Sequence, residues 1–204
     1  MNLGGDIIPR AIINATEHDV LAVLRKSYAA KVAERGMTID VVPARSTTLQ
    51  AAKWLTQGSK SLPWLMLSGN VGTGKTTLIG SILDTLMHFG VEAKKFPASD
   101  FPVLFLGNDE ITEQQILRGD FCEVLLLDDV GADTSDVKFY GNVIQPFVRI
   151  VEERYNRRLP LILTTNLSAE GMQERYGIRT LDRILEMAAV IRYDGQSYRR
   201  TNKQ

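Results

Sequence analysis

The chain of 204 residues contains a single cysteine, Cys122, and only two histidines, His18 and His88. One thiol excludes an internal disulfide framework and a cysteine-based zinc site, and it points to a reducing compartment. The histidines lack metal-ligand spacing and fall on helical segments, so no site role is assigned to them. Neither sign of charge is in excess, with 24 Lys and Arg against 24 Asp and Glu. Any grip on nucleic acid must therefore come from local patches rather than from overall charge. No apolar run is long enough to cross a bilayer, and no charged-then-apolar leader opens the chain, which gives the expectation of a soluble cytoplasmic protein without a membrane partner. Repeats and low-complexity tracts are also missing. The length suits one compact domain with a sizeable core.

Against this plain background stands one specific pattern. Gly69-Asn70-Val71-Gly72-Thr73-Gly74-Lys75-Thr76 fits G-x-x-x-x-G-K-[ST] without a mismatch, between an apolar run and a helical stretch. The glycines let the loop fold back so that backbone N–H groups point at phosphates, and the following helix offers its positive end to the same charge. Lys75 is expected to reach the β and γ phosphates, the Thr76 hydroxyl to ligate Mg²⁺, and Thr77 to assist from the first helical turn. The pattern implies binding of a nucleoside triphosphate. It does not say for what purpose.

Two further strand ends qualify that reading. Val124-Leu125-Leu126-Leu127-Asp128-Asp129 is an apolar strand delivering two carboxylates at its carboxyl end, where open α/β sheets bind ligands. Neighbouring strand residues point to opposite sides, so the two should differ in role. Asp128 is expected to hold Mg²⁺, and Asp129 to orient or polarise the attacking water. Leu161-Ile162-Leu163-Thr164-Thr165-Asn166 is a second buried strand ending in small polar groups. Asn166 can donate and accept, which suits a residue holding water between the γ-phosphate and Asp129. A turn-forming asparagine is the competing account.

The remaining periodicity sets the frame. Thr16 and Asp19 look like a helix cap, and Val20, Leu21, Leu24, Tyr28 and Val32 recur at helical spacing up to Gly36. Residues 37–46, with Pro43, read as a connector before a second helix from about Thr48 to Thr56. From Trp64 onward short apolar strands at 64–68, 91–96, 123–128, 160–165 and 189–193 alternate with helical segments, which predicts a parallel sheet covered on both faces. Residues 97–111 give no readable pattern. Tyr140, Val143, Ile144, Phe147, Val148, Val151 and Tyr155 suggest one long helical face, which Pro146 must either kink or begin. Arg149, Arg154, Arg157 and Arg158 lie on or just after that helix as a candidate phosphate-tracking cluster, diluted by Glu152 and Glu153. A solvated face laced with i,i+4 pairs is the alternative.

These motifs, with Leu-Asp-Arg-Ile at 181–184 and Ser197-Tyr198-Arg199, resemble the DnaC/DnaI-type AAA+ ATPases, the bacterial replicative helicase loaders, over about residues 48–202. IstB-type transposition ATPases share nearly all of the resemblance. It implies a P-loop NTPase of AAA+ type, with a five-stranded parallel sheet between helices, a short helical extension at 1–47, an ATPase domain at 48–204 and no separate lid. It names Gly69–Thr77 as Walker A, Asp128 and Asp129 as Walker B, and Asn166 as sensor 1. It further implies that Arg183 is a finger inserted in trans into a neighbouring subunit's nucleotide, with Arg179 as rival, and that Arg199 sits near the γ-phosphate. The implied cofactors are ATP/ADP and Mg²⁺. The implied partners are a hexameric DnaB-type helicase, single-stranded DNA and further copies of the chain, or, in the IstB-like alternative, a transposase on double-stranded DNA. A small-molecule P-loop kinase is the remaining reading; kinases of that class typically need an arginine-rich lid and a substrate pocket, whereas this chain offers Asn166 after a buried strand and a trans-type arginine.

Overall fold

The computed structural model describes residues 12–36, 41–57, 62–101, 122–133, 136–139 and 142–193. Its centre is a five-stranded parallel sheet in the order β2-β3-β6-β1-β7. The strands are β1 (Trp64–Gly69), β2 (Ala93–Pro97), β3 (Val124–Val130), β6 (Leu161–Thr165) and β7 (Ala188–Tyr193). All five fall within a few residues of where the apolar runs place them. The order sets β6 between β1 and β3, so the end of β6 emerges between the phosphate-type loop and the two carboxylates.

Period-two alternation divides the apolar residues between the faces of the sheet. Leu65, Leu67, Leu126, Ile162 and Ile191 pack beneath α1 (Glu17–Glu34), α2 (Val41–Gln57) and α3 (Lys75–His88). Trp64, Met66, Leu125, Leu127, Leu161 and Leu163 face α4 (Pro146–Arg157), α5 (Ala169–Tyr176) and α6 (Ile178–Met187). Helix α1 follows its predicted stripe: the Thr16 hydroxyl caps the Asp19 N–H, and Val20, Leu24, Tyr28 and Val32 are buried.

Two expectations are corrected. Helix α2 begins at Val41 rather than near Thr48. Pro43 stands in its first turn, where a helix N–H has no intrahelical acceptor, so the proline does not enforce a connector. The long helical face is also shorter than the periodicity suggests, because Val143 and Ile144 belong to β5 (Asn142–Ile144), which pairs antiparallel with β4 (Val137–Phe139). Pro146 begins α4 and does not kink it. Tyr140 and most of the unreadable stretch, 102–111, lie outside the described residues.

Candidate nucleotide site

The site forms where β1, β3 and β6 end together. Strand β1 closes on Gly69, whose φ of 144° and close approach to the Tyr193 backbone leave no space for a side chain. Gly72 and Gly74 also take positive φ, at 83° and 102°. A Cβ on Gly74 would come within 2.9 Å of the Tyr28 hydroxyl, so α1 walls this side of the loop. Gly74 is the N-cap of α3 and supplies no side chain to the first-turn N–H groups, which leaves them for a ligand.

Lys75 is almost fully buried at the start of α3 and donates to the carbonyls of Gly69 at 2.7 Å and Asn70 at 2.6 Å. Two of its three N–H groups are thereby used and one is left. Burial pulls its ammonium below the ordinary lysine range, and the nearby charges of Asp129 and Asp128 oppose that shift. A buried cation tied to carbonyl dipoles, with no carboxylate in contact among the described residues, is a fitting seat for an anion.

The carboxylates occupy different environments, as the strand alternation requires. Asp128 is buried: its Oδ1 accepts from the Thr164 hydroxyl at 2.8 Å and the Thr76 hydroxyl at 3.3 Å, and its Oδ2 meets Lys95 Nζ at 3.1 Å. Asp129 is exposed and takes a left-handed φ of 62° where the β3–β6 register shifts between Leu127 and Val130. That conformation is costly for a residue with a Cβ and survives only when its surroundings impose it. Here the Asp129 N–H donates to Thr164 Oγ1 at 2.7 Å, and Asn166 Nδ2 donates to Asp129 Oδ1 at 2.7 Å. One threonine on β6 thus links the backbone of one aspartate to the carboxylate of the other. Hard oxygen donors from Asp128 and Thr76 at adjoining positions fit a divalent cation, and the glycine loop with Lys75 fits the phosphates it would accompany.

The structure therefore brings together Gly69–Thr76, Asp128, Asp129 and Asn166, and leaves out Thr77. Thr77 faces away from the loop and accepts from Arg35 Nη1 at 2.9 Å. Arg183, on α6, is held against its own chain, donating to Glu152 Oε1 at 2.7 Å and lying 5.2 Å over the Tyr155 ring. Arg179 is exposed on the same helix. Arg199 lies outside the described residues. The proposed arginine cluster loses a member: Arg154 is fully buried and donates to the carbonyls of Glu123 and Pro160, while Arg157 pairs with Glu153 one turn away. Sequence reasoning missed Lys95 and the linking role of Thr164. Lys95 stands at a half-buried position of a strand that carries no motif, and no spacing rule marks it.

No protein-family model matches the chain. Its sequence is 27% identical over 150 residues to the replicative helicase loader DnaI of Bacillus subtilis (strain 168), covering 66% of this chain and 47% of that protein. The chain thus spans about half the length of this curated relative. Among solved structures, a crystal structure of DnaI superposes with a TM-score of 0.60 at 22% identity, covering 86% of this chain and 92% of that one. A crystal structure of the DnaC helicase loader gives a TM-score of 0.59 at 20% identity, covering 78% and 94%. The resemblance to DnaC/DnaI-type proteins is thereby borne out, and the fold is that of a P-loop NTPase of AAA+ type. Among the described residues, no helix is long and apolar enough to cross a membrane.

Proposed function

We propose that this chain binds and hydrolyses ATP and uses its nucleotide state to load or reposition a hexameric DnaB-type helicase on single-stranded DNA during replication initiation. The observation that carries the reading is the convergence of Lys75, Thr76, Asp128, Asp129 and Asn166 at one end of the sheet. The DnaI and DnaC relatives supply the link to helicase loading. Lys75 and the N–H groups of the glycine loop bind the phosphates. Asp128 and Thr76 are the residues to hold Mg²⁺, which when bound neutralises charge on the phosphate oxygens. Asp129 accepts a proton from water, and Asn166 fixes the orientation of that carboxylate. The 2.7 Å bond between them supports a joint role.

Arg183 is assigned as the finger given to a neighbouring copy, and Arg199 as a further contact to the γ-phosphate. A guanidinium holds two phosphate oxygens at once and keeps its charge throughout the reaction. In the isolated chain Arg183 is engaged by Glu152, so assembly has to replace that partner. DNA contact falls to the exposed Arg149, Arg157 and Arg158, a thinner patch than the sequence suggests.

The decisive experiment is light scattering after size-exclusion chromatography, with and without the replicative helicase of the same cell, in ATP-analogue and ADP states. A joint complex that depends on the nucleotide is expected. Self-assembly on double-stranded DNA without a helicase complex would instead favour a transposition ATPase. In the assembled state Arg183→Ala is expected to leave ATP affinity within about threefold and to lower turnover by about 1000-fold. Loss of ATP binding would remove the trans assignment.

A further inference from the structure

Strand β2 forms one edge of the described sheet and carries no recognised motif, yet it sends a cation into the site. Pro97 is the register partner of Asp128, and Lys95 lies two residues earlier on β2, beside Leu126. The even spacing places Lys95 on the face that α3 covers, and its side chain runs along the sheet to bring Nζ 3.1 Å from Asp128 Oδ2. The two oxygens of Asp128 are thus differently committed. Oδ1 takes neutral hydroxyls from Thr164 and Thr76, whereas Oδ2 takes a full positive charge. The Lys95 side chain remains 27% exposed and has room to move into solvent, while that of Asp128 is only 7% exposed and does not.

We propose that Lys95 is an internal counter-cation of the metal-binding carboxylate: it neutralises Asp128 in the nucleotide-free protein and has to withdraw when Mg²⁺ arrives with the triphosphate. The inference rests on the assignment of Asp128 to the metal and goes beyond it. A buried carboxylate left without a partner would be costly, so a mobile ammonium stabilises the free state. Mg²⁺ and Lys95 need the same negative charge, and their competition raises the Mg²⁺ concentration required for nucleotide binding. The metal then binds well only when phosphates add to the charge that attracts it.

The test is a Mg²⁺ titration of the binding of a fluorescent ATP analogue by the full chain, without any turnover measurement. Lys95→Met is expected to lower the half-saturating Mg²⁺ concentration about fivefold, the scale of a partly exposed ion pair. Lys95→Gln, a second neutral variant, should do the same, and Lys95→Arg should keep the wild-type requirement. An unchanged or higher requirement in both neutral variants overturns the proposal. So does weaker binding of the analogue in EDTA, because a lysine that contacts phosphate would then be the simpler account. Asp128→Asn separates the two levels of inference. If it raises the Mg²⁺ requirement while the Lys95 variants do nothing, only the counter-cation falls; if it leaves the requirement untouched, the metal assignment falls and takes Lys95 with it.

Discussion

Two cations are buried among the described residues, one at each end of the sheet, and they are held in similar ways for different ends. Lys75, at the carboxyl ends of the strands, donates to the carbonyls of Gly69 and Asn70 within its own loop. Arg154, at the amino ends, donates to the carbonyl of Glu123, just before β3, and to that of Pro160, just before β6, with its guanidinium also 3.7 Å from Cys122 Sγ. Burial lowers the proton affinity of both and raises that of the Cys122 thiol. The acceptors make the difference. Arg154 ties two strand entries to the last turn of α4, a structural clamp between segments distant in sequence. Lys75 ties a loop to itself, joins no distant segments, and keeps one donor in reserve.

The comparison breaks first at Lys75. Lys75→Met is expected to weaken ATP binding by at least about 100-fold, since it removes a charge-assisted contact to phosphate. The same change is expected to stabilise the nucleotide-free fold by about 1 kcal/mol, because a buried charge that no carboxylate among the described residues contacts is replaced by an apolar chain of similar length. Equilibrium binding and urea denaturation measure the two quantities on one preparation. A destabilised Lys75→Met protein would show that the lysine is as structural as Arg154.

Arg154→Met is expected to do the reverse. It removes the guanidinium's hydrogen bonds to the carbonyls of Glu123 and Pro160, the second of which keeps the Leu125 N–H, and should cost about 3 kcal/mol, or roughly 10 °C in Tm for a chain of this size. ATP affinity per folded molecule should stay within about twofold. Calorimetry and binding below the transition check both, and a large loss of affinity would mean that the two ends of the sheet are not independent.

What could be read from the sequence follows the same division. The central strands β1, β3 and β6 are legible because runs such as Leu125-Leu126-Leu127 are apolar on both faces, as a covered parallel strand must be. The loop residues are legible because phosphate binding constrains residue type at fixed spacing. Arg154 was not: on a helix with Arg149, Arg157 and Arg158 it has the appearance of a surface charge, and only the fold shows carbonyls waiting for it. Lys95 and Thr164 were hidden for a related reason, since each meets Asp128 across more than thirty residues of sequence. The strands β4 and β5 have three residues each, too short for alternation to declare itself. The left-handed Asp129 leaves no sequence signature either, because the residue type that tolerates that backbone is also the one the chemistry wants.

The smallest expected effect is the one that separates charge from packing. Lys75 has a folded-state proton affinity below the ordinary lysine value of 10.5, chiefly through burial, with Asp129 and Asp128 opposing. At pH below its folded pKa both folded and unfolded chains carry the proton, and the full cost of burying the charge is present. Between the folded value and 10.5 the unfolded chain binds more protons than the folded one, so stability gained from this group rises with pH. The advantage of Lys75→Met over wild type should therefore shrink as pH rises toward 10.5. The deficit of Arg154→Met should not shrink over the same interval, because Arg154 holds down the proton affinity that burial raises at Cys122, and its removal makes the folded chain lose more stability as that thiol titrates. Parallel denaturation series on the three proteins cancel the alkaline destabilisation they share. A Lys75→Met advantage that does not change with pH would trace to methionine packing and remove the argument that Lys75 is a charge held at a cost for a ligand.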